Sequence, residues 1–104
     1  MTAPVLAVGR SVIVEMVRLA ALEVPGVIRV ARGGPALRAW FAGSPVGVRV
    51  RDGRVSVRLW VIARPGVALV PLAAQVRSAV TGAIERLLGL EAGMVTVIVD
   101  GVGG

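Results

Sequence analysis

A chain of 104 residues, 56% of them apolar and 17% charged, makes one domain able to bury a single core and is unlike a disordered segment. It contains no cysteine, histidine, lysine or tyrosine, which excludes disulfides and thiolate metal sites and removes the commonest metal ligand and general base. All twelve basic residues are arginine, set against six acids, for a formal charge of +6. GC-rich coding bias toward Ala, Gly, Val and Arg explains that total but not where the arginines cluster.

The opening "MTAPVLAVGR" has no basic segment ahead of a long apolar run, so the chain is expected to stay in the cytoplasm. Val5 to Val8 read as a short first strand, residues 1–4 as a flexible end. Ser11 is placed to cap a helix in which Ile13, Met16, Val17, Ala20 and Val24 recur at helical spacing, with Glu15 and Arg18 on the other side. Pro25 and Gly26 end it, and "GVIRV" follows as a strand.

Residues 31–45, "ARGGPALRAWFAGSP", read as an irregular insertion bounded by "GGP" and "GSP", with one or two helical turns possible from Pro35. It holds Trp40 and Phe41, two of the three aromatic residues in the chain. They are candidates either to anchor a partner or to fold back over the core.

Next comes "VRVRDGRVSVRLWV", residues 48–61. Its strict alternation around Asp52-Gly53 predicts a hairpin with a two-residue turn. The turn sets the register: Arg51 opposite Arg54, Val50 opposite Val55, Arg49 opposite Ser56 and Val48 opposite Val57. Valines then form one face. Arg49, Arg51, Arg54 and Arg58 form the other, which continues as Trp60 and Ile62. Like charges directly opposite cost about 0.2–1 kcal/mol unless relieved, so Arg51 and Arg54 must be solvated, paired with an acid or held for a ligand. If no helix covers its Trp60 end, that face offers an apolar patch to a partner.

"RPG", residues 64–66, closes the strand. A second helix, from Val67 or Pro71 to Leu88, should bury Leu72, Val76, Ala79, Val80, Ala83 and Leu87, turning Arg77, Thr81 and Glu85 outward. Gly89 stands just past its end, with Leu90 packing back. "MVTVIVD" is the last strand, and residues 101–104 read as a frayed tail. The longest uncharged run, Pro65 to Val76, contains prolines and is about half the length a bilayer crossing requires.

The order β-α-β-β-β-α-β implies an α+β fold over residues 1–104: two layers, a mainly antiparallel sheet, and both helices packed on its valine face. The residue inventory points away from catalysis. The six acids sit singly, and no base stands ready to activate the few serines and threonines. No catalytic, cofactor-binding or metal-ligating residues are therefore assigned, and no cofactor is expected.

Three blocks, "GRSVIVEMVRLAALEVPGV", "VRVRDGRVSVRLWVIARPGVALVPLAAQVRSAV" and "LLGLEAGMVTVIVDGV", resemble in that order the alkaline shock protein family of general-stress and envelope-stress-response proteins from Gram-positive and related bacteria. The resemblance implies a cytoplasmic α+β module with no established catalytic activity, linked to envelope homeostasis, held under the membrane in some members by a membrane-anchored partner, and able to self-associate. Two departures stand out: Pro65 replaces the tyrosine usual before the glycine that closes the strand, and arginine and alanine replace the family's lysine and glutamate surfaces.

The expected function is thus a non-enzymatic adaptor or scaffold. Its candidate partner-binding residues are Arg49, Arg51, Arg54, Arg58, Trp60, Ile62, Trp40 and Phe41, and its partner is a protein, membrane-anchored or a second copy of itself. The alternative is a nucleic-acid-binding module using the arginine face, which has few aromatics for stacking bases. Direct attachment to anionic lipid ranks below both, because neither helix has a strongly basic polar face.

Overall fold

The computed structural model describes residues 9–32 and 43–103. Six elements follow in order: α1 (Arg10–Leu22), β1 (Val27–Val30), β2 (Val46–Arg51), β3 (Arg54–Ala63), α2 (Leu69–Gly82) and β4 (Glu91–Val102). A π-helical turn, Ala83–Leu87, extends α2. The predicted strand at Val5 to Val8 and the turns around Trp40 and Phe41 fall outside the described residues.

β3 organises the sheet. β4 runs parallel along one edge, from Arg54 opposite Glu91 to Ala63 opposite Val102. The other edge is shared end to end by two antiparallel strands: β2 pairs with Arg54 to Leu59, and β1 with Val61 to Ala63. Trp60 marks the junction, its N–H donating to Pro45 O (3.0 Å) and its C=O accepting from Ala31 N–H (3.0 Å). The chain therefore leaves the sheet at Ala31 and rejoins it at Pro45, both ends tied to the backbone of one residue, Trp60. Two of the three pairings are antiparallel, as expected, in an α+β fold with both helices on one face.

The hairpin follows from its turn. Asp52 (φ 52°) and Gly53 (φ 75°) both adopt the left-handed geometry that matches a two-residue loop to the twist of its strands. The register is the one read from the sequence, Arg51 opposite Arg54 through Val48 opposite Val57. One face consequently presents Val46, Val48, Val55, Val57, Leu59, Val61 and Ala63, all buried. Ile13 and Val17 of α1 and Leu72, Val76 and Val80 of α2 close over it. No polar or charged side chain is buried among the described residues.

Several sequence expectations are corrected. Helix α1 starts at Arg10 with Gly9 as its N-cap and no side-chain cap, so Ser11 lies inside the first turn. Leu87 is exposed (67%), because the π turn spreads one turn over an extra residue, Leu88 N–H reaching back to Ala83 O, and the burial passes to Ile84. Gly89 does follow in left-handed geometry (φ 67°). The last strand is longer than "MVTVIVD", and residues 101–103 are not frayed: Gly101 and Val102 lie in β4, and Gly103 N–H donates to Ala63 O at 2.9 Å.

Candidate functional site

The sheet face away from the helices collects arginines by register. β2 contributes Arg49 and Arg51 and β3 contributes Arg54 and Arg58, all four exposed. Arg29, opposite Ile62, adds a fifth from β1. The like-charge contact at the turn is relieved on one side, since Arg54 Nε donates to Glu91 Oε1 at 2.6 Å across the parallel pairing with β4. Among the described residues, Arg49, Arg51 and Arg58 have no ion-pair partner. On α1, by contrast, Arg18 pairs with Glu15, and hydrogen bonding from that guanidinium holds the Glu15 carboxyl below its ordinary value.

The apolar end of this face is not an open patch. No helix of the described residues covers it, but Ile62 is only 4% exposed. The chain at the end of β4 lies close to it: a side chain built at Gly103 would begin 3.1 Å from Ile62 Cγ2 and 3.6 Å from Ile28 Cδ1, a tight fit that Ile62 would have to yield to. Trp60 is half-buried, and the Arg32 guanidinium lies 3.8 Å from its ring centroid, a cation–π contact. Ile62 therefore gives little surface to a partner, and Trp60 presents a face already occupied by a charge.

Between these features lies a shallow trough of about 720 Å³. It is lined by Arg10, Arg32, Arg49 and Arg58 together with the small residues Gly47, Ser56 and Thr96. Trp60 and Met94 also line it. None of the described residues lining it is acidic. Ser56 Oγ accepts Met94 N–H at 3.2 Å, leaving its own hydroxyl proton free to donate. Arg32 Nε is buried without a hydrogen-bond partner. Arg10, at the start of α1, reaches over the sheet to Val48 O, which the hairpin register turns away from β3, so the outer edge of β2 is partly capped.

The sequence placed Arg49, Arg51, Arg54, Arg58 and Trp60 on one face of the sheet, and the structure puts them there together. The sequence reading missed Arg10, Arg29 and Arg32. Arg29 was legible in the alternation of "GVIRV" once that strand is paired with the second half of β3. Nothing local signals Arg10 or Arg32, whose positions depend on contacts with Val48 and Trp60, distant in sequence. Trp40 and Phe41 lie outside the described residues.

Among those residues there is no cluster of three or more side chains suited to hold a metal, and no helix long and apolar enough to cross a membrane. The alkaline shock protein 23 family model, described by a cell envelope-related function, matches residues 5–103. No curated protein and no solved structure matches the chain.

Proposed function

The chain belongs to the alkaline shock protein 23 family, and from that family's cell envelope-related function we propose that it acts as a non-enzymatic adaptor or scaffold, held at the cytoplasmic side of the envelope by a protein partner. The observation that carries this reading is the unneutralised arginine face. One side of the sheet is committed to the helices, while the other exposes Arg49, Arg51 and Arg58 with no ion-pair partner among the described residues. Grouped like charges on a sheet repel one another, and a complementary surface relieves that repulsion while speeding encounter with the partner.

A nucleic acid would also supply anionic groups. The half-buried Trp60 ring favours a protein instead, because Arg32 lies on the aromatic surface a base would need for stacking. The test is affinity capture from cross-linked native cells, membranes included, split into nuclease-treated and untreated halves and read by mass spectrometry. The same membrane-anchored protein in both halves supports the adaptor. Partners that disappear with nuclease overturn it in favour of nucleic-acid binding.

A further inference from the structure

The trough on the open sheet face has the chemistry of a seat for carboxylates. Its charge is of one sign, four arginines and no acid among the described lining residues. It also contains a donor waiting for an acceptor. Arg32 is held in place by the Trp60 ring, yet its Nε is buried with nothing to bond. A buried, unpaired N–H is destabilising, and a guanidinium presents such donors in a planar fork that fits the two oxygens of a carboxylate. The Ser56 hydroxyl proton is a further donor beside it.

Spacing narrows the ligand. By the hairpin register Arg49 lies opposite Ser56, and Arg58 opposite Gly47, so the two arginines are diagonal neighbours on one face. Such diagonal positions are separated by roughly 7–8 Å. In an extended peptide, alternate side chains on one side recur every ~6.8 Å, which matches that separation. The trough is also much larger than one small anion needs. Gly47, one of the lining residues, has no side chain to obstruct the backbone of such a peptide.

Resting on the adaptor reading above, we infer that the trough formed by Arg32, Arg49, Arg58 and Ser56 binds an extended acidic segment of the partner protein, with glutamate or aspartate at alternate positions. Arg32 takes one carboxylate while stacked on Trp60. Arg49 and Arg58 take carboxylates at alternate positions.

The experiment is fluorescence anisotropy at physiological salt with the purified full chain and two labelled probes, hexaglutamate and a hexathymidylate single strand. Hexaglutamate is expected to bind, and Arg32→Gln or Arg58→Gln to weaken it by about tenfold each, as expected for loss of a hydrogen bond to a charged group. Arg77→Gln, on the outer side of α2, is expected to leave binding unchanged. Arg32→Lys and Arg58→Lys keep the charge and lose the fork, so each should also weaken binding. Thermal melts run alongside confirm that every variant is folded. Absence of hexaglutamate binding, equal weakening by Arg77→Gln, wild-type binding by both lysine variants, or tighter binding of hexathymidylate would each overturn the inference. It fails independently of the adaptor reading: a cellular partner can be captured with no acidic-peptide binding, which sinks only the trough, whereas a chain that binds hexaglutamate but captures only nuclease-sensitive partners sinks only the adaptor.

Discussion

Adjacent residues of β3 meet opposite surroundings. Val55, Val57, Leu59 and Val61 are 0–3% exposed beneath two helices, while Arg54, Ser56, Arg58 and Trp60 face a surface with no helix over it among the described residues. The separation comes from the period of two in a strand, so a slip of one residue in register would exchange the two sets and bury arginines under α1 and α2. The turn at Asp52-Gly53 guards against that slip, and the parallel pairing with β4 continues the same division, Val95, Val97 and Val99 following the valines and Thr96 and Ile98 the open face. What the contrast teaches is that stability and recognition are assigned to alternate residues of one strand. Each can then be altered with little effect on the other.

The sharpest way to break this comparison is in the core. Leu59→Ala removes a fully buried side chain facing both helices, and is expected to destabilise the fold by about 2–5 kcal/mol in urea denaturation. A smaller loss is expected at the turn. Gly53→Val places a β-branched residue at φ 75°, at a cost of about 1–3 kcal/mol, measured the same way. Next comes the ion pair between β3 and β4. Arg54 and Glu91 are both exposed (66% and 58%), so Arg54→Gln should cost no more than about 1 kcal/mol, diminishing as salt is raised.

At the lower end, Arg49→Gln, Arg51→Gln and Arg58→Gln together should change stability by only about 0.5 kcal/mol. A large loss in that triple variant would show that the open face supports the fold, which would dissolve the comparison. The smallest effect is expected on α1. The Glu15 carboxyl is lowered by hydrogen bonding from Arg18, so its contribution is complete above the unfolded-state value and disappears as pH falls through the lower folded-state value. An NMR titration of the Glu15 carboxyl carbon checks this: Arg18→Gln should return its midpoint toward that of an ordinary glutamate.

Much of this division was legible in the sequence, because it depends on local rules. Alternation assigned the faces of the hairpin, and one turn dipeptide assigned its register. The last strand shows where such rules stop. The alternation in "MVTVIVD" identifies its inner face but not its neighbour or direction, and its extension to Glu91 and Val102 depends on lying alongside the whole of β3. Leu87 was misplaced because a period of 3.6 carried straight through a turn whose hydrogen bond spans five residues. Ile62 was read as open because only a helix was considered as its cover, whereas glycines at the end of β4 supply one. The trough was the least legible feature: its arginines come from α1, the segment after β1, β2 and β3, and meet only when the sheet is assembled.

Whether a partner occupies the open face in the cell can be read from an arginine footprint. The chain would be treated with phenylglyoxal once in a native extract that retains membranes and once after purification, with modification at each arginine quantified by mass spectrometry. Arg77, exposed on α2, serves as the internal reference. Arg49, Arg51 and Arg58 are expected to be protected in the extract and reactive when purified, while Arg77 reacts equally in both. Equal reactivity of all four in both samples would contradict occupancy by a partner and leave the arginine face as solvated surface.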